Sequence, residues 1–102
     1  MKISKDNAKR EDWDEVRSWN YKLTDKSVVY AELDGEHGEV ESGDIERIYY
    51  IIDGEGEYEY GANKIFATKG DVITIPIKTK YNYRSMGDNT LKVLLFMELW
   101  NN

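Results

Sequence analysis

The sequence predicts an all-β fold, an antiparallel sandwich or barrel, and three observations predict it. Short runs of β-branched and aromatic residues recur, as in Ile48 to Ile52 and Val72 to Ile77. Turn signals separate them at short intervals: Asp53-Gly54-Glu55-Gly56, Gly61-Ala62-Asn63-Lys64 and Lys69-Gly70-Asp71. Between two of these turns, Glu57-Tyr58-Glu59-Tyr60 alternates polar with aromatic residues at the period of a strand. Val, Ile, Tyr and Phe suit a pleated, half-buried surface, and Gly, Asp and Asn supply the backbone conformations of tight turns. Strands spaced so closely fit a small antiparallel architecture.

The first 19 residues are mostly polar around Trp13, Val16 and Trp19. Asn7 is placed to cap a short helix through Lys9 to Trp13, and the three-residue spacing puts Trp13, Val16 and Trp19 on one side if the turn continues. The expectation is an N-terminal arm, residues 1–26, that lays its tryptophans against the rest of the domain or a second subunit. Ser27 to Leu33 is a strand by composition, and Asp34-Gly35 reads as a hairpin turn. Glu36 to Asp44 carries four acidic residues among Gly38, Ser42 and Gly43, which suggests a strand mixed with a loop. Ile65 to Ala67 and Val72 to Ile77 are further strands, and Pro76 marks the end of the latter or a bulge. Tyr81-Asn82-Tyr83-Arg84 alternates aromatic with polar, Met86 to Asn89 turns the chain, and Leu91 to Trp100 is apolar enough to be covered on both faces.

Composition narrows the function. A chain of 102 residues is one domain with room for one core and one small pocket. A net charge of −6 and a pI near 4.8 argue against nucleic-acid partners, which are bound largely through Lys and Arg. Without cysteine there is no disulfide framework and no thiolate metal site, as suits a reducing cytoplasm. The N-terminus has no apolar signal segment, and no run of apolar residues approaches a membrane span. The chain reads as a cytoplasmic protein of one domain.

The run Tyr49 to Glu57 followed by Lys69-Gly70-Asp71-Val72-Ile73-Thr74-Ile75-Pro76 resembles the cupin superfamily of small jelly-roll barrels. The resemblance covers roughly Ser27 to Glu98. It implies a double-stranded β-helix over residues 27–102, with residues 1–26 as the arm. Cupins in general also carry three histidines and a carboxylate, pointing inward from neighbouring strands, that hold a transition metal. With the register anchored on Gly54, Gly70 and Pro76, those four positions are Val40, Ser42, Arg47 and Tyr81. Arginine has no lone pair to give a metal. The resemblance therefore implies a barrel without its family's metal site and with no cofactor. An unusual site would need His37, the sole histidine, with Glu39 or with Glu46 in a shifted register.

The same register turns Arg47, Tyr49, Tyr81 and Tyr83 into the barrel, with Tyr58 and Tyr60 able to follow Gly56 inward. A guanidinium among tyrosines suits a carboxylate, phosphate or sugar, because Arg offers a bidentate fork and the rings offer hydroxyls and flat apolar faces. The competing expectation is that Arg47 pairs with Glu57, Glu59 or Glu98 and that the tyrosines are core. His37 reads first as an exposed loop residue and second as a catalytic acid or base, with Tyr81 as the other candidate.

Three functions follow. One is metal-independent binding of a small polar or anionic metabolite, a sugar or organic acid, with isomerisation or epimerisation as the least demanding chemistry. The second is a metal-dependent dioxygenase or isomerase with a non-standard site. The third is a non-catalytic sensor or structural dimer. Cupins commonly dimerise, and Trp13, Trp19 and Trp100 fit an apolar interface, so a homodimer is expected.

Overall fold

The computed structural model describes residues 2–99. After a single 3-10 turn, Lys5–Asn7, come ten strands: β1 Lys9–Trp13, β2 Val16–Lys22, β3 Lys26–Leu33, β4 Val40–Glu41, β5 Arg47–Asp53, β6 Glu55–Tyr60, β7 Asn63–Thr68, β8 Val72–Ile75, β9 Lys80–Ser85 and β10 Leu91–Glu98. They form a six-stranded sheet in the order β1-β2-β3-β10-β5-β8 and a four-stranded sheet in the order β4-β9-β6-β7. The adjacent strands are antiparallel, and the buried side chains of both sheets merge in one core. This is the expected jelly-roll barrel, and its strands match the predicted ones closely from β5 onward.

Three expectations are corrected. Lys9 to Trp13 is a strand, not a helix. The chain reverses at Asp14-Glu15, with Asp14 at φ 44°, so that Trp13 pairs with Val16 across a hairpin. A three-residue interval reads as one helix face only if no turn interrupts it, and here one does. Val16 then faces the core and Trp19, an odd number of residues on, faces outward against Tyr30. Residues 1–26 thus contribute two hydrogen-bonded strands to the six-stranded sheet. Second, Asp34-Gly35 does not close a hairpin onto the next strand: β4 pairs with β9 of the other sheet. Third, β10 is covered on one face only, with Leu91 and Val93 fully buried and Lys92, Leu94 and Phe96 half-exposed. Trp100 lies outside the described residues.

Alternation sets the core. Tyr49 and Ile51 of β5, Tyr58 of β6, and Tyr81 and Tyr83 of β9 are at most 2 % exposed. Their even spacing is the strand period, and each buried side chain contributes on the order of 2 kcal/mol. Glu57 and Glu59, between the inward residues of β6, meet Arg84 on the other side of the sheet. Among the described residues no helix is long and apolar enough to cross a membrane.

The turns keep the expected glycines. Gly54 has φ 84°, and a Cβ there would sit 3.0 Å from Leu91 Cα and closer still to the Thr90 carbonyl, so a side chain meets both backbone strain and backbone atoms. Lys78, which is not a glycine, is also left-handed, at φ 53°. That conformation costs a non-glycine residue about 1–2 kcal/mol, against about 0.5–1 kcal/mol for the greater freedom of an unfolded glycine. Lys78→Gly is therefore expected to stabilise by up to about 1 kcal/mol, raising the thermal midpoint by a few degrees; a lower midpoint in calorimetry would show that the lysine side chain outweighs its backbone strain.

Candidate functional site

A cavity of about 180 Å³ opens between the sheets, with His37, Arg47, Tyr49 and Tyr83 in its wall. Tyr81, the remaining candidate, is not in the wall but touches two residues that are. Arg47 Nη1 donates to Tyr81 Oη at 2.8 Å, and the Tyr81 and Tyr49 hydroxyls share a hydrogen bond of 2.5 Å. Arg47 Nη2 donates to the Glu41 carbonyl at 3.2 Å. The guanidinium lies 5.5 Å from the centre of the Tyr81 ring. Strand register explains the meeting: β5 and β9 belong to opposite sheets, and the inward parity of each brings position 47 to position 81.

The expected carboxylate partners of Arg47 are elsewhere. Glu57 and Glu59 pair with Arg84, and Glu98 borders a separate groove beside Phe96. Among the described residues Arg47 makes no ion pair, and its Nε is buried without a hydrogen-bond acceptor. Burial opposes the charge, but the oxygens of Tyr81 and Tyr49 more than offset it and the guanidinium stays protonated. Tyr49, Tyr58 and Tyr83 are pushed well above the usual phenol range by burial, so each is a neutral hydroxyl at pH 7. Three of the rings pack face to face or tilted, with Tyr58 and Tyr83 parallel at 4.6 Å and Tyr49 5.1 Å from each.

His37 is not an exposed loop residue. Its ring stacks on Tyr83 at 4.7 Å and meets the edge of Trp13 at 5.1 Å. The backbone is held on both sides: His37 N donates to the Tyr83 carbonyl at 2.8 Å, and Trp13 Nε1 donates to the His37 carbonyl at 3.1 Å. The next amide, Gly38 N, donates to Asn82 Oδ1 at 2.9 Å. Burial lowers the imidazole pKa below its ordinary value, and the nearby Arg47 charge lowers it further; the Gly38 carbonyl, 3.0 Å from Nδ1, opposes them. The ring is therefore neutral at pH 7, with one nitrogen free to take a proton and one to give it.

Sequence reasoning missed the contribution of the N-terminal hairpin. Trp13 and Glu11 of β1, with Ser18 and Asn20 of β2, complete one wall of the cavity. Glu11, Trp13, Ser18 and Asn20 alternate along two strands joined by a two-residue turn, a pattern that the helical reading of Lys9 to Trp13 concealed.

The family's metal positions hold no ligand set. Val40 packs against the core, opposite Tyr81 in the register, and Ser42 Oγ is engaged by the Pro76 carbonyl and the Thr79 amide. Arg47 and Tyr81 bond to one another. Among the described residues no three His, Asp or Glu side chains gather closely enough to hold a metal. His37 faces the cavity, Glu39 is exposed, and Glu46 borders the separate groove. That groove, about 490 Å³ with Asp25, Asp44 and Glu98 on its rim, is larger than the cavity but has no imidazole, guanidinium or buried hydroxyl. One imidazole beside a permanent cation does not fit a transition metal.

The depressed His37 pKa has a consequence for stability. Above the ordinary value of 6.5 the ring is neutral in both folded and unfolded chains; below it the unfolded chain takes up a proton that the folded one resists. Stability is expected to fall as pH drops below about 6.5, and His37→Gln is expected to flatten that part of the profile. Urea denaturation from pH 7.5 to 5 checks this; parallel profiles for the two proteins would contradict it.

Comparison with known proteins bears on the fold and the family. The cupin domain family model matches residues 34–97. An uncharacterised protein of Methanocaldococcus jannaschii is 41% identical over 49 residues, a match spanning 48% of this chain and 39% of that one, so the likeness covers well under half of the relative. Among solved structures, the nucleoside dehydratase Pac13 from Streptomyces superposes with a TM-score of 0.86 at 19% identity, covering 99% of this chain and 84% of that one. A predicted oxalate decarboxylase from Thermotoga maritima gives 0.83 at 17% identity, covering 98% and 100%. KdgF from Halomonas gives 0.76 at 19% identity, covering 94% and 91%. At such identities the structural matches speak to the fold, and with the family match over most of the chain they lead to one conclusion: this protein belongs to the cupin family.

Proposed function

We propose that the barrel binds a small polar, anionic metabolite in the cavity without a metal, and that Arg47 is the anion anchor. The observation that carries the reading is the guanidinium itself. It is half-buried and has no carboxylate partner among the described residues, and its Nε is a buried donor without an acceptor. Arg47 lines the cavity with only a hydroxyl and a backbone carbonyl as partners, so its charge is left for an anion to neutralise. A cavity of about 180 Å³ is below the roughly 300–1,000 Å³ of drug-sized pockets and suits a compact molecule, an organic acid or a sugar.

If the bound molecule reacts, the groups present perform proton transfer. His37 is neutral and lines the cavity, the position of a general acid or base, and the Tyr49 hydroxyl, in the wall and hydrogen-bonded to Tyr81, provides a donor for developing negative charge on an oxygen. Isomerisation, epimerisation and elimination all need these parts. Support at the level of the fold comes from Pac13, named as a nucleoside dehydratase and solved with uridine in forms where a histidine or a tyrosine is substituted. The lack of cysteine supports a cytoplasmic setting for such a protein.

Arg47→Leu is expected to lower carboxylate affinity at least tenfold while the barrel stays folded, because the side chain is at the cavity and not in the apolar core. Titration calorimetry with circular dichroism checks this; an unchanged affinity would remove Arg47 from the site.

The homodimer is the second part of the proposal. The outer face of the six-stranded sheet carries Trp19, Tyr30, Leu94 and Phe96, with Tyr50 46 % and Val72 58 % exposed. These apolar groups, interleaved with Arg17, Glu32 and Lys92 on the same face, fit a second copy, the association the family resemblance implies. Light scattering is expected to give about twice the chain mass of 11.9 kDa, and Tyr50→Lys to reduce it; a single-chain mass at micromolar concentration would contradict the dimer.

A further inference from the structure

The wall made by β1 and β2 carries hydrogen-bonding groups of the opposite kind to those around Arg47. Asn20 Nδ2 donates to the Lys9 carbonyl at 3.1 Å and to Ser18 Oγ at 3.3 Å, and Ser18 Oγ in turn donates to the Glu11 carbonyl at 2.7 Å. These bonds fix which way the Asn20 amide points. Both of its protons face the hairpin, which leaves Oδ1 as an acceptor with no partner among the described residues. Ser18, only 3 % exposed, is the buried support of the arrangement. Glu11 also lines the cavity; its side chain is 53 % exposed and its carboxylate has a single loose contact, 3.8 Å to a largely exposed Lys9 ammonium. One wall thus presents acceptors, and the β5 wall presents the charged donor.

The two walls are a defined distance apart. β2 and β5 are separated in the sheet by β3 and β10, three inter-strand steps or roughly 14 Å along the curved surface, and less across the cavity. A chain or ring of about six carbons, with a hydrogen bond of roughly 2.8 Å at each end, spans such a gap. Between the walls lie Val29, Ala31 and Leu95, which offer contact but no polar group.

From this polarity we infer that the β1–β2 hairpin is the second half of the binding site and that the ligand is a hydroxylated carboxylic acid. The carboxylate sits at Arg47, and its hydroxyl groups donate to Asn20 Oδ1 and the Glu11 carboxylate. A plain fatty acid leaves Asn20 Oδ1 without a donor and gains nothing from Glu11, and a neutral polyol leaves the guanidinium unpaired, so a molecule carrying both features is selected over either alone. The assignment rests on the reading of Arg47 as anion anchor and adds to it a residue set and a substrate class.

Three six-carbon probes separate the two layers: gluconate, hexanoate and sorbitol, each titrated calorimetrically into the unaltered protein and into Asn20→Leu, Glu11→Gln and Arg47→Leu. Gluconate is expected to bind at least tenfold tighter than hexanoate, with no heat from sorbitol. Asn20→Leu is expected to weaken gluconate about tenfold and Glu11→Gln about threefold, both leaving hexanoate within twofold. Glu11 is exposed and Glu11→Gln keeps its shape, so this variant reports on binding even if Asn20→Leu loosens the hairpin. Equal affinity for gluconate and hexanoate, unchanged in both hairpin variants, overturns the hairpin's role while leaving Arg47 in place. Carboxylate binding that survives Arg47→Leu, or no binding of either carboxylate to a folded protein, overturns the anion reading beneath it.

Discussion

The candidate site is arranged about one charged group, the guanidinium of Arg47. Taking such a cation out of water costs several kcal/mol unless nearby dipoles replace the solvent, and here the replacement is incomplete. Tyr81 and the Glu41 carbonyl occupy its two terminal nitrogens, and Tyr81 passes the interaction to Tyr49. Nε is left over. A barrel interior of low effective dielectric strengthens its attraction, so the half-buried guanidinium acts on an anion more strongly than a surface arginine would. The tyrosines, kept neutral by burial, supply hydroxyl dipoles without adding negative charge.

The fold supplies the positions. Inward parity on β5 and β9 delivers Arg47, Tyr49, Tyr81 and Tyr83 to one interior from opposite sheets. The loop from Asp34 to Glu39, pinned to β9 by the Tyr83 carbonyl and Asn82, delivers His37 onto the face of Tyr83. Glu57 and Glu59 of β6 are kept outside by the same parity and pair with Arg84. The separation leaves Arg47 without a β6 carboxylate: had β6 slipped by one residue, Glu57 would point inward in place of Tyr58.

Much of the arrangement was legible in the sequence, because strands of period two declare their faces. Gly54, Gly70 and Pro76 fix the register, and from the register alone Arg47 and Tyr81 fall on positions that converge. What the register could not tell is whether the arginine would find a carboxylate, since Glu57, Glu59 and Glu98 lie within a strand or two and side-chain pairing is decided by packing. The N-terminal hairpin was obscured for a different reason. Trp13, Val16 and Trp19 imitate a helical spacing, and the turn between them, Asp14-Glu15, lacks the glycine or asparagine that usually marks a two-residue loop. His37 likewise looked exposed because loops are usually solvated; it is the aromatic surfaces of Trp13 and Tyr83, from distant strands, that draw it over the cavity.

Arg47, at one of the positions where the family resemblance asks for a metal ligand, is proposed to hold an anion instead. The chain has four arginines, and their Nε–H groups give separate nitrogen–proton signals in nuclear magnetic resonance. That of Arg47, a residue of the cavity wall, reports on the site. Titration with a carboxylate is predicted to move this signal saturably to lower field while those of Arg10, Arg17 and Arg84 stay in place. An Arg47 signal indifferent to carboxylates, but shifted by one equivalent of a divalent metal, would contradict the account.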